Sequence, residues 1–305
     1  MASHPTVVRP EALSVGVAAR ALLGVFKLRI GLAIMLCTLA GIAVTPGPTL
    51  EGWQMAALAL AVLLSSASAG AFNQYVERDL DARMKRTRLR PFVTGLFHPG
   101  PAWVAAIGLI LVASVLVAAL ATNWIAAVHV FLGAFVYGVV YTVWLKRRSW
   151  TNIVVGGLAG SFAVLAGAAA VDPRLAPAPL ILALVLLLWT PPHFWSLATA
   201  LHKDYAAAGV PMLPVVVGDQ AAAWVILGHT VALSLLALTP FWLGMGEVYL
   251  AGALAGGAYF TWHSVQLVRR PSPATARRNF AASLAQLGLL LGAAILDPLL
   301  LGPAG

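Results

Sequence analysis

Ten acidic residues are spread over 305 positions, yet Glu77, Asp79 and Asp81 fall within five of them. They sit in Asn73-Gln-Tyr-Val-Glu77-Arg-Asp79-Leu-Asp81-Ala-Arg-Met-Lys85-Arg86-Thr-Arg88-Leu-Arg90-Pro91, where acids pass directly into bases. At about 100° per residue, Asn73, Glu77 and Asp81 line one helical face, Lys85 continues it, and Asp79 points nearly opposite if the helix persists. Oxygen groups one turn apart suit Mg²⁺, which takes one or two carboxylates and completes its shell with water and phosphate oxygens. The bases that follow make little sense beside calcium and much sense beside a diphosphate, which needs both a metal and guanidinium forks. The competing reading is a helix end at the membrane edge whose solvated charges balance one another.

Two further polar clusters stand out. Trp189-Thr-Pro-Pro-His193-Phe-Trp195 leads into His202-Lys203-Asp204-Tyr205 and Gly209-Val-Pro211-Met212-Leu-Pro214. Pro191 and Pro192 remove backbone donors and are expected to kink or unwind their helix, which lipid tolerates only where protein or a cavity covers the break. His193, just past them, is either a cavity-facing group or a hydrogen-bonded packing residue. The other cluster, Tyr141-Thr-Val-Trp-Leu-Lys146-Arg147-Arg148, precedes Asn152, Gly156, Gly157 and Gly160. Lys146 and Arg147 are open to two readings, phosphate ligands or topology anchors, and the glycines read as helix packing.

The elements that must position these groups are membrane helices. Apolar residues make up 61% of the chain, charged ones 10%, and the mean hydropathy is +0.90, which excludes an ordinary soluble globule. Cutting the chain at Pro, Gly, Asn and charge clusters gives nine apolar runs near 26–45, 53–75, 101–121, 124–145, 152–171, 179–200, 221–243, 248–268 and 280–300. The expected fold is all-α, one transmembrane domain over 26–300 after an N-terminal segment 1–25 in which no secretory signal is read. Of the 19 basic residues, every one but Arg174 falls on the N-terminal segment or an even-numbered connection. The positive-inside rule then puts the N-terminus in the cytoplasm and, with nine spans, the C-terminus outside. The net charge of +9 is therefore mostly a topology signal, and no nucleic-acid partner is expected. Cys37 has no partner cysteine and reads as a small buried hydrophobe. Phosphate-loop, dinucleotide and HExxH motifs are absent.

These residues resemble the UbiA superfamily of intramembrane prenyltransferases and, within it, the haem O synthases (protohaem IX farnesyltransferases). The likeness covers about 25–300 and rests on Asn73-x-x-x-Glu77-x-x-x-Asp81 with Arg86-Thr87 and Arg90-Pro91, on Tyr141-Thr-x-Trp-Leu-Lys146-Arg147, and on Asp204-Tyr205 with the segment to Pro214. Trp189-Thr-Pro-Pro-His193-Phe-Trp195 is similar to the stretch that separates haem O synthases from quinone-type relatives. One departure is that Lys203 precedes a lone Asp204 where relatives usually offer two adjacent acids.

The resemblance implies a nine-helix bundle around a central cavity. It implies Mg²⁺ held by Asn73, Glu77, Asp81 and Asp204, and a diphosphate bound by Lys85, Arg86, Arg90, Lys146 and Arg147. It further implies transfer of farnesyl from farnesyl diphosphate to a vinyl group of haem B with capture of water. His193, Trp195 and Tyr205 are the candidate haem contacts, and Tyr75 and Tyr205 are candidates for stabilising positive charge. The implied setting is a bacterial plasma membrane, with the mitochondrial inner membrane as the alternative and haem A synthase or oxidase assembly proteins as candidate partners. The rival readings are a transferase with a quinone-type acceptor, a transporter built on broken helices, and a non-catalytic assembly factor.

Overall fold

The computed structural model describes residues 15–301, and everything among them is helix or turn. The first part of the predicted N-terminal segment, with Arg9, lies outside the described residues. Helix α1 (Val15–Val25) meets α2 (Leu28–Ala43) at a bend of 48°. Lys27 makes the corner with φ 49° and ψ 42°, a left-handed conformation that costs a side-chain-bearing residue about 1–2 kcal/mol unless its surroundings hold it there.

Helix α3 (Gly52–Val76) delivers the acidic motif, and the short α4 (Arg78–Arg83) and α5 (Pro91–Thr94) carry the chain across the basic end. Then come α6 (Pro101–Ala121) and α7 (Trp124–Phe135), which continues as π-helical turns over Val136–Leu145. Helices α8 (Asn152–Gly156) and α9 (Leu158–Val171) form the next crossing, followed by α10 (Pro177–Ala200), α11 (His202–Ala207) and α12 (Leu213–Val217). The bundle closes with α13 (Asp219–Leu236), α14 (Glu247–Arg269) and α15 (Pro273–Leu301).

All nine predicted runs are helical. Seven helices are long and apolar enough to span by themselves, and the bent pair α1–α2 makes an eighth. The helix over 248–268 is continuous, but its Thr, His, Ser and Gln residues keep it short of the apolar content that marks a span. Neighbours pack in chain order around a ring, and α15 returns to α2 to close it. The chain is thus a multi-pass membrane protein.

The closest crossing lies between α2 and α9. A Cβ at Gly41 would come within 2.1 Å of the Val164 carbonyl oxygen, and one at Gly167 within 2.0 Å of that of Thr38. Gly156 and Gly157 are packing residues as expected, lying against Tyr141 and Thr190. The expected unwinding at Pro191 and Pro192 does not occur. Helix α10 runs through both, and the Ser196 hydroxyl donates to the Pro192 carbonyl at 2.5 Å.

Candidate active site

Three oxygen-bearing groups of the first motif are buried at the basic end. Glu77 is 1% exposed, and Asn73 and Asp81 are similarly covered. Each is held by a cation from a different element. Lys27, at the α1–α2 corner, donates to Asn73 Oδ1 at 2.5 Å and to the Tyr137 hydroxyl at 3.1 Å. Lys146, at the end of the π-helical stretch, donates to Glu77 Oε2 at 2.5 Å. Arg90, just before α5, donates to Asp81 Oδ2 at 2.6 Å.

Local structure explains why these groups meet. Helix α3 breaks at Glu77, so α4 starts afresh and Asp81 still follows one turn later, its N–H donating to the Glu77 carbonyl at 2.7 Å. The wider π turns bring Thr142 to accept from Asn73 Nδ2 at 3.0 Å, while Tyr137 and Tyr141 stack 5.6 Å apart. Lys27 and Lys146 lie over those two rings at 5.7 and 5.5 Å. An aromatic group, Tyr75, Phe92, Phe97 and Trp103, meets mostly edge to face and fastens the loop that supplies Arg90.

Other predicted residues are placed differently. Asp79 does point away from the buried face, and there Arg147 takes both its oxygens at 2.7 and 2.8 Å on the surface. That fork holds the Asp79 carboxyl down at about 2 and occupies Arg147 outside the cradle, where it was expected to bind diphosphate. Lys85 is exposed because α4 ends at Arg83, so the helical face does not extend to it. Arg86 lies against Tyr205, whose phenol is pushed up by burial and drawn back by that guanidinium.

Asp204, on α11, makes no side-chain hydrogen bond or ion pair among the described residues and gathers with no two other acids. Tyr75 packs on Phe92 beneath Arg78 and is thereby committed to the aromatic group.

The three candidate haem contacts do not share one surface. Trp195 and Tyr205 belong to an apolar cluster with Leu80 and Met84 under α4, and Trp195 Nε1 is buried without an acceptor. His193 is sandwiched between Trp189 at 4.3 Å and Phe280 at 4.4 Å. Its Nδ1 lies 2.7 Å from Ser283 Oγ, which spends its proton on the Phe280 carbonyl.

Lys27, Tyr137, Thr142 and Ser283 were not legible as site residues. Lys27 carried one signal, a cation beside Arg29 at the head of an apolar run, which also reads as a topology marker.

The cradle offers oxygen donors of the kind a hard divalent cation prefers, and Glu77 Oε1 is buried with no partner, so the residues fit such an ion. Lys27, Lys146 and Arg90 against Glu77 and Asp81 leave one positive charge in excess, before Arg86 is added, which suits a polyanion. Fold and site together define a multi-pass helical bundle with a charged cradle at one end, and the chain belongs to the UbiA prenyltransferase family, whose profile matches residues 34–290.

Among its relatives, protohaem IX farnesyltransferase 2 of Paramagnetospirillum magneticum is 58% identical over 93% of this chain and 98% of its own length. Protohaem IX farnesyltransferase 1 of the same organism is 48% identical over 89% and 95%. A solved digeranylgeranylglyceryl phosphate synthase shares the fold with a TM-score of 0.75 at 16% identity, covering 92% of this chain and 98% of that one. A UbiA homologue from Archaeoglobus fulgidus, solved bound to DMAPP and Mg²⁺, gives a TM-score of 0.69 at 17% identity, covering 88% and 99%.

Proposed function

We propose that this chain transfers a farnesyl group from farnesyl diphosphate to a vinyl group of haem B, with addition of water, to give haem O and diphosphate. The observation that carries the transfer chemistry is the buried Asn73–Glu77–Asp81 set with a cation on each member. The acceptor rests on the two farnesyltransferase relatives and on the Trp189–Trp195 segment that the resemblance singles out.

Asn73, Glu77 and Asp81 would hold Mg²⁺, which neutralises diphosphate charge and so makes it a better leaving group. Lys146, Arg90 and Arg86 bind its oxygens, and their fixed positive charge is worth most where charge develops as the carbon–oxygen bond lengthens. Tyr137 and Tyr141 offer ring faces beside the cationic carbon that results. Attack by the haem vinyl carbon forms the new bond, and water captures the cation left on the side chain and loses a proton, giving the hydroxyethylfarnesyl group. His193, stacked between Trp189 and Phe280 and paired with Ser283, is the candidate contact to the haem.

By the positive-inside distribution the cradle faces the cytoplasm of a bacterial plasma membrane, and the product passes to haem A synthase or to an oxidase under assembly. The test is incubation of the purified protein in detergent with haem B, farnesyl diphosphate and Mg²⁺, following haem mass by chromatography. A gain of farnesyl plus water, abolished by chelation and in Asp81→Asn, is expected. Unchanged haem beside prenylation of a quinone-type acceptor would overturn the haem assignment.

A further inference from the structure

Lys27 is a half-buried lysine whose direct partners are both neutral, the Asn73 amide oxygen at 2.5 Å and the Tyr137 phenol at 3.1 Å. An ammonium at the end of a membrane bundle normally finds a carboxylate, because desolvation without one is expensive. The chain nevertheless builds a place for it. Lys27 turns the corner in a left-handed conformation, and its stem lies along α3 at Gly70, where an added Cβ would meet Lys27 Cβ and Cδ at an ordinary contact of 3.4 Å. Gln74, one residue past Asn73, donates to the carbonyls of Gly24 and Val25 at 2.8 and 3.1 Å and fixes the end of α1. Helix α3 thus holds the corner at three points and aims the ammonium at Asn73.

The same substitution of cation for ligand recurs at Glu77 with Lys146 and at Asp81 with Arg90. We infer that Lys27, Lys146 and Arg90 are placeholder cations, occupying the oxygens that a divalent metal takes and turning to the diphosphate when it does, so that metal and prenyl diphosphate load as a unit.

Charge arithmetic supports coupled loading. Three cations and two carboxylates give the cradle +1. A prenyl diphosphate carries about −3 near neutral pH, so with one divalent ion it brings −1, which offsets the +1 of these five groups before Arg86 is counted. The metal alone would strip the three cations of their acceptors and raise the local charge to +3. The diphosphate alone would meet Lys27, Lys146 and Arg90 still paired to Asn73, Glu77 and Asp81, with only their remaining N–H groups to offer. Each ligand therefore supplies what the other displaces, and linkage requires the effect to be reciprocal.

The inference deepens the reading of the cradle and rests on it, but needs no acceptor. The test is calorimetric titration of the purified full chain with Mn²⁺ alone, with a non-hydrolysable thio-linked farnesyl diphosphate alone, and with each in the presence of the other. Coupling of at least 10-fold in both directions is expected. Lys27→Met is expected to tighten Mn²⁺ alone several-fold while reducing the coupling, and Lys27→Arg to restore the coupling. Should Lys27→Met fail to fold, Lys146→Gln carries the same expectation at Glu77.

Independent binding of the two ligands to the wild type, or substitutions that leave both affinities and their coupling unchanged, would overturn the proposal. Loss of haem farnesylation with the coupling intact would instead strike the acceptor assignment and leave this one standing.

Discussion

Two buried polar regions of this bundle are built on opposite plans. In the cradle under the basic loops, each acceptor is held by a full charge borrowed from a distant element, and one carboxylate oxygen, Glu77 Oε1, is left over. Between α10, α13, α14 and α15 runs a neutral string whose members are spent on one another, beside Gln286, whose amide is buried without a partner. Asn279 donates to Ser196 Oγ at 2.9 Å and accepts from Ser264 at 3.0 Å, Ser264 lies 3.1 Å from Thr230, and Ser196 returns to the Pro192 carbonyl. A region whose partners are charged and in excess can exchange them for ligands, whereas a saturated neutral string fixes helix positions. The chain keeps its adaptable charges at one end and its rigid frame behind them.

The contrast can be broken most forcefully at the carboxylates. Glu77→Gln or Asp81→Asn is expected to lower the rate of haem farnesylation by about 10²-fold or more, measured as initial rate per folded molecule. Removal of divalent metal is expected to abolish turnover while leaving the thermal midpoint in detergent nearly unmoved, because Lys27, Lys146 and Arg90 keep the oxygens compensated. A large fall in the midpoint on chelation would contradict the exchange picture.

Asn279→Ala should do the reverse, costing roughly 1–3 kcal/mol of stability by stranding Ser264 and Ser196, with kcat per folded molecule little changed. On the surface, Arg147→Ala should cost about 1 kcal/mol or less, and exchanging the charges in Asp79→Arg with Arg147→Asp should restore most of what is lost. Restoration by the exchange separates a clasp from a diphosphate ligand, since an acid at 147 beside a diphosphate would repel it.

The smallest effect is in pH. The Asp79 carboxyl is held at about 2 by the Arg147 fork, against 3.8 in the unfolded chain. Its contribution is thus complete above about 4 and disappears as pH falls through about 2, a slope in acid unfolding that Asp79→Asn should remove.

The sequence carried those features that depend on neighbours along the chain. Hydropathy located the long helices from α2 on because burial in lipid is a local demand on composition, but not α1 or the short helices of the basic end, and the four-residue spacing of Asn73, Glu77 and Asp81 survived the break at Glu77. The same spacing misplaced Lys85, because a helical face can be extrapolated only while the helix lasts, and α4 ends at Arg83. Lys27 was hidden because its partners lie 46 and 110 residues away. The π-helical turns around Tyr141 have no periodicity signal over so short a span. Pro191 and Pro192 announced a kink or an unwinding, and α10 does not unwind at them.

The crossing of α2 and α9 has a mechanical consequence. Gly41 and Gly167 let two backbones touch, so neither helix can slide past the other by even a methyl group's width. Lys27 precedes α2 by one residue, about 20 Å from that contact at 1.5 Å per residue. Helix α2 is therefore a strut with its foot clamped in the hydrocarbon and its tip in the ionic cradle. A single added methyl at the foot would displace the tip, and a fault deep in the membrane would be read out as a misplaced charge at the water's edge.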